Sequence, residues 1–113
     1  MVSLDTVRKL ALTFPEAVEQ PHFEKASFRV KKKIFATLDA KNMRCVVKLS
    51  ALDQSTFSSF DKTIIYPIKN AWGKQGWTII ELKKVPKKLI EDILITAYCE
   101  VASDKLAKLL RPE

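Results

Sequence analysis

Three groups of residues in this 113-residue chain have types and spacings that could do chemistry. The first is His22, the only histidine, flanked by Glu19 and Glu24. An imidazole paired with a carboxylate suits acid–base catalysis or metal binding. Zinc and copper sites normally need three or four ligands, however, and neither Cys45 nor Cys99 is close to His22 in sequence. A nucleophilic triad would need a further histidine or a lysine base. The cysteines lack a CxxC spacing. Cys45 falls in a strand pattern and Cys99 in a helix pattern, which reads as free buried thiols in a reducing compartment. With only two glycines, the chain has no glycine-rich phosphate loop. The expectation is a non-enzyme with no cofactor and no bound metal.

The second group is basic. The net charge is +7. Residues 25–48 carry eight Lys/Arg against one acid, and residues 62–88 carry seven Lys against one acid. Both stretches read as β structure, so the cations concentrate on strands. Long flexible cations on a sheet suit polyanions, whose phosphates make few demands on geometry. The competing reading is a solvated face with lysines blunting strand edges.

The third group is the run Trp72-Gly73-Lys74-Gln75-Gly76-Trp77, which holds both tryptophans and both glycines. Trp77 sits inside a strand pattern and is expected to anchor in the core. Trp72, beside Lys69 and Lys74, could equally pack inward or lie exposed and stack on a base.

Regular elements must position these groups. Leu4, Val7, Leu10, Ala11 and Phe14 share a helical face over residues 3–14, with Ser3 as N-cap and Phe14-Pro15 as the stop. Residues 16–24 read as a loop. Strands are predicted at 26–31 and 34–39, joined at Lys32-Lys33, and at 43–49. Phe28 and Val30, then Ile34, Ala36 and Leu38, then Cys45, Val47 and Leu49 would face the core. Arg29, Lys31, Arg44 and Lys48 would share the opposite face. Ser50 caps a short helix that turns Phe57 and Phe60 inward. Two further strands are predicted at 63–68 and 76–82. A long helix runs from Pro86 to Ala102, and a last one follows Ser103 with Leu106, Leu109 and Leu110. Strands followed by helices through short connections predict one α+β domain spanning 1–113, its antiparallel sheet covered by helices on one face. No apolar run approaches the ~20 residues of a membrane span, and Met-Val-Ser-Leu-Asp does not resemble a signal peptide, so a cytoplasmic location is expected.

With these landmarks in place, the chain resembles the MmcQ/YjbR family of small bacterial proteins over nearly its whole length. The resemblance rests on Leu12-Thr13-Phe14-Pro15 with Glu19, Pro21-His22-Phe23, Ser27-Phe28-Arg29-Val30 and Lys33-Ile34-Phe35-Ala36-Thr37-Leu38. It continues through Val47-Lys48-Leu49, Trp72-Gly73-x-x-Gly76-Trp77-Thr78 and Tyr98-x-x-Val101-Ala102. Glu24 and Lys31-Lys32-Lys33 stand where members of that family often carry glycine, so the first hairpin is expected to use a turn that does not demand glycine. The resemblance implies a CyaY-like two-layer sandwich and a DNA-binding role, the latter by analogy of architecture. Iron-binding proteins of that fold use an acidic first helix. Here that helix has only Asp5, followed by Arg8 and Lys9.

The leading expectation is a non-enzymatic DNA-binding module, weak or shape-directed. Arg29, Lys31, Arg44 and Lys48 would contact phosphate, and Lys32, Lys33, Lys69, Trp72 and Lys74 would extend the surface. The first alternative is a protein-interaction module that offers the last predicted strand as an edge, or the Trp72–Trp77 loop. The second is a small-ligand or enzymatic site centred on His22 and Trp72, which needs a pocket that brings them together. The oligomeric state is left open.

Overall fold

The computed structural model describes residues 2–111; Met1, Pro112 and Glu113, counted in the predicted domain, lie outside the described residues. Its elements are α1 (Leu4–Leu12), β1 (Val18–His22), β2 (Lys25–Val30), β3 (Lys33–Asp39), β4 (Arg44–Lys48), α2 (Ala51–Ser58), β5 (Ile65–Pro67), α3 (Ala71–Lys74), β6 (Trp77–Glu81), α4 (Lys87–Val101) and α5 (Asp104–Leu110). The strands form one antiparallel sheet in the order β1-β2-β3-β4-β6-β5. The α+β class is as expected.

Local chemistry sets the helix ends. The Ser3, Ser50 and Ser103 hydroxyls accept from the backbone N–H of Thr6, Asp53 and Leu106, each satisfying an otherwise orphaned donor. Pro86 stands just before α4, where its missing N–H costs nothing. Ile90, Ile93, Leu94, Ala97 and Tyr98 of α4 are buried and pack over β3 and β4, while α1 and α5 flank α4. Tyr98 is fully buried. Its ring meets Phe14 and Phe35 edge-on at centroid distances of 5.3 and 5.5 Å, and its hydroxyl donates to the Pro15 carbonyl at 2.6 Å. A buried tyrosine needs such a partner.

Several expectations are corrected. Residues 18–22 are a strand, not part of a loop, although all but His22 are exposed; β1 exists through its pairing with β2. Ala71–Lys74 form one helical turn. Phe60 is exposed, as is Leu109, whereas Phe57 packs against the core. The last predicted strand, β6, lies between β4 and β5 and so offers no edge.

The central correction concerns β3. Phe28 pairs with Ala36 but Arg29 pairs with Ile34, which leaves Phe35 as an extra residue in a β-bulge. The bulge puts Phe35, Ala36 and Leu38 all in the core and turns Ile34 to the opposite face. Strict alternation had placed Ile34 in the core and Phe35 outside it. The β2–β3 hairpin also departs from expectation. Its two-residue loop is Lys31-Lys32, with φ of 51° and 71°, so both lysines occupy the left-handed region that such a turn normally fills with Asn-Gly.

Candidate functional site

One face of the sheet is covered by α4, with α1 and α5 against it; the other is open apart from the α3 turn at its rim. The strand register places Lys25, Ser27 and Arg29 on the open face, then Ile34, Thr37 and Asp39, then Arg44, Val46 and Lys48, and finally Trp77, Ile79 and Glu81. The predicted quartet therefore separates. Arg29, Arg44 and Lys48 share this face, but Lys31 lies in the hairpin turn, where its ammonium meets Glu16 at 2.7 Å.

One end of the open face is a cross-strand charge ladder. Lys25 lies 4.0 Å from the Asp39 carboxylate. Arg44 donates to Glu81 at 2.9 Å, and the Tyr66 hydroxyl donates to the same carboxylate. The Asn42 side-chain amide, at 2.8 Å, is the main cause holding the Asp39 carboxyl below its usual range, against an opposing effect of burial. Burial, then the bond to Glu81, pushes the Tyr66 phenol up. Arg44 is thus engaged by an acid and not presented to solvent as a free cation.

A groove crosses the rest of this face, from the Lys25 corner to the Trp77 end. Ile34, Thr37, Val46 and Trp77 floor it, and its volume is about 800 Å³. Its walls are the β1–β2 turn (His22, Phe23, Glu24 and Lys25) and the loop after β5 (Ile68 and Trp72). The volume lies in the ~300–1,000 Å³ range of ligand clefts, and the lining is mostly apolar with a few polar groups. Two aromatic side chains on opposite walls are exposed: Phe23 at 92% and Trp72 at 58%. Trp77 is half-buried on this face beside Lys48, so the expectation that it anchors in the core is corrected.

The tryptophan loop is held by close backbone approach. A Cβ on Gly73 would lie 1.9 Å from the Ile68 carbonyl oxygen, and one on Gly76 would lie 1.8 Å from that of Leu49. Gly76 also has φ of 105°. Neither position admits a side chain. The Gln54 amide, from α2, donates at 3.0 Å to both the Gly73 carbonyl and the Thr78 hydroxyl and fastens the loop to β6. The opposite wall is a tight turn: His22 pairs with Lys25, leaving Phe23 and Glu24 as a two-residue loop with Phe23 at φ 59°. The His22 ring meets the Phe23 ring edge-on at 4.8 Å and makes no side-chain hydrogen bond among the described residues.

Among the described residues, Arg29, Lys32, Lys33, Lys48, Lys69 and Lys74 have no acidic partner within 4.0 Å. Arg29 donates instead to the Ser27 hydroxyl and Lys48 to the Leu49 carbonyl. Arg29 and Lys48 neighbour Ile34 and Trp77 across the strands, while Lys69 and Lys74 belong to the tryptophan loop. Lys32 and Lys33 stand at the β2–β3 hairpin, outside the groove lining. No group of three His, Cys, Asp or Glu side chains that could hold a metal occurs among the described residues, and no helix there is long and apolar enough to cross a membrane.

The groove could not have been read from the sequence, because Ile34 reaches it only through the bulge and Trp77 only through the β4–β6 pairing. Phe23 carried a signal that alternation does not weigh: a large aromatic residue in a two-residue turn.

Comparison with known proteins agrees with this architecture. No curated protein sequence matches significantly. The chain is similar to the Deinococcus radiodurans protein DR2400, whose crystal structure is described as a DUF419 family domain. The TM-score is 0.80 at 21% identity, covering 98% of this chain and 89% of that one. At that identity the likeness speaks for the fold alone. A family model, YjbR, matches residues 12–100. That span runs from the end of α1 to the last turn of α4 and takes in the whole sheet, both groove walls and the two-glycine loop: the chain belongs to the YjbR family.

Proposed function

We propose that the chain is a non-enzymatic DNA-binding module that uses the groove on the open sheet face. The observation that carries this reading is the pairing of exposed aromatic walls with cations that lack acidic partners, in a chain of net charge +7. Arg29 and Lys48, which neighbour Ile34 and Trp77 across the strands, and Lys69 and Lys74 of the tryptophan loop would neutralise phosphate around an apolar floor, with Lys25 held 4.0 Å from Asp39. Arg44 and Lys31, already paired with acids, contribute less than the sequence pattern implies. Phosphate contacts position a protein without reading sequence, and among the described residues the helix bordering the groove is the single turn α3, too short to serve as a recognition helix. Binding is therefore weak and shape-directed. The absence of catalysis is part of the proposal: among the described residues no carboxylate lies within 4.0 Å of His22 to orient it, and no serine or cysteine lines the groove.

The test is titration of labelled DNA with the full chain over a range of salt concentrations. With four phosphates neutralised, log K falls with log salt at a slope of roughly −3 to −4. Binding indifferent to salt, or none at low salt, would sink the proposal.

A second reading has its own observation. The groove brings His22, Glu24 and Trp72 together, as a small-ligand site would require. A planar ligand that saturates the groove, protects it thermally and shows no salt dependence would favour it. The edge-addition form of a protein-interaction module has less support. The edge strands β1 and β5 contain Pro21 and Pro67, and proline cannot donate to an added strand.

A further inference from the structure

We infer that the groove takes unpaired bases of single-stranded DNA, with Phe23 and Trp72 as facing stacking surfaces; the inference rests on the DNA-binding reading above. Phe23 is the residue that points to it. Its side chain is 92% exposed, and its backbone lies at φ 59°. Each feature is unfavourable for a phenylalanine. Apolar surface stands in water, and the Cβ crowds the backbone in the left-handed region. Glycine would relieve both, so local physics does not account for this residue type here. Such a misfit is informative when it sits at a binding surface. Phe23 forms one wall of the groove and contacts only the His22 ring among aromatic groups, so its other ring face is free.

Trp72 answers it from the opposite wall, 58% exposed on a loop that two glycines and Gln54 hold in place. Between them the floor is Ile34, Thr37, Val46 and Trp77. This lining offers flat apolar surface and few hydrogen-bonding groups. A ligand matched to it presents π-faces to the walls and negative charge to Arg29, Lys48, Lys69 and Lys74, which lack acidic partners among the described residues. Single-stranded DNA presents both. Duplex DNA covers its base faces by stacking and offers only their edges in the grooves. Stacking tolerates any base, which agrees with the scarcity of groups that could read sequence.

The experiment compares a labelled oligodeoxythymidine with a duplex of equal length, at low salt, against the full chain and its Phe23→Gly and Trp72→Ala variants. Tryptophan fluorescence and urea unfolding are followed in parallel. The single strand is expected to bind at least tenfold more tightly than the duplex and to quench tryptophan emission. Phe23→Gly is expected to lose about tenfold in single-strand affinity, the scale of one stacked base, while its urea midpoint stays level or rises. That combination separates a binding role from a structural one, because a structural Phe23 would lower the midpoint when removed. Trp72→Ala should weaken single-strand binding similarly. Equal affinity for both DNA forms, or single-strand affinity unchanged in both variants, would overturn the stacking inference and leave DNA binding standing. Absence of binding to either form would overturn both.

Discussion

The two faces of the sheet are built from the same strands, yet they differ in how fully the chain satisfies them. On the helix-covered face, Phe28, Val30, Phe35, Ala36, Cys45, Val47 and Ile80 are all fully buried, and the Phe14–Phe35–Tyr98 cluster is closed by the hydroxyl of Tyr98 on Pro15. On the open face, Ile34, Val46 and Trp77 stay half-covered, Phe23 and Trp72 are exposed, and hydrogen bonds and ion pairs gather at one end. One face is finished by the chain itself; the other, in the reading proposed above, is finished by a ligand. Stability should therefore reside on the first and binding on the second, with little overlap.

The strongest challenge to this division is a pair of truncations. Phe35→Ala should lose about 3–5 kcal/mol of unfolding free energy, through lost burial and a cavity between β3 and α4. Trp72→Ala should change it by no more than about 0.5 kcal/mol, as for an ordinary surface site. Urea titration of both variants decides the matter. Comparable losses would mean that Trp72 belongs to the core.

A second challenge uses pH. Cys45 is fully buried, and burial pushes its thiol from 9.0 up to about 12. The unfolded chain can release this proton above about pH 9, whereas the folded chain holds it to about pH 12. The folded value is the raised one, so the associated stability is fully present below pH 9 and is lost as pH rises through that window. The loss is at most about 4 kcal/mol for three units. Cys45→Val should flatten the alkaline decline in urea midpoint. Part of the slope should persist, because burial also raises Tyr66 and Tyr98. An unaltered slope in the variant would mean that this thiol is not shielded.

The same division explains what was legible in the sequence. Phe28 and Val30, and Cys45, Val47 and Leu49, were readable as core because alternation records burial when a strand is regular. The three serine caps were readable because capping is a local hydrogen bond. β3 misled because a bulge breaks period two, and the extra residue is defined only by the pairing of β3 with β2. β1 was hidden because Val-Glu-Gln-Pro-His has no apolar face and is a strand only by pairing. The cations of the site were visible by type, but their partners were not: Glu16 and Glu81 are remote in sequence from Lys31 and Arg44. The groove needed strand order, which composition does not record.

A smaller effect tests the turns that border the open face. Lys31 and Lys32 occupy left-handed backbone that glycine adopts without strain. Lys32→Gly should stabilise the fold by about 1 kcal/mol, the scale of the penalty for a side chain in that conformation. Its effect on DNA affinity should be small, since Lys32 lies at the β2–β3 tip outside the groove lining. A large loss of affinity would move the binding surface from the groove to that hairpin.

The smallest expected change in stability sharpens the contrast within the open face itself. Glu81 holds Arg44 at 2.9 Å and accepts from Tyr66. Glu81→Gln keeps the shape and an acceptor for Tyr66 but removes the negative charge. For a partly exposed pair this should cost about 0.5 kcal/mol or less. The same change releases Arg44 and raises the net charge of the face by one. If phosphates reach beyond the groove to the ladder, the salt slope of DNA binding should steepen by about 0.7–0.9, one added contact. If the slope is unchanged while Phe23→Gly still weakens binding, the ladder end is structural and DNA contact is confined to the aromatic groove. The variant thus locates the boundary between the part of the open face that the chain completes with its own ion pairs and the part proposed to bind DNA.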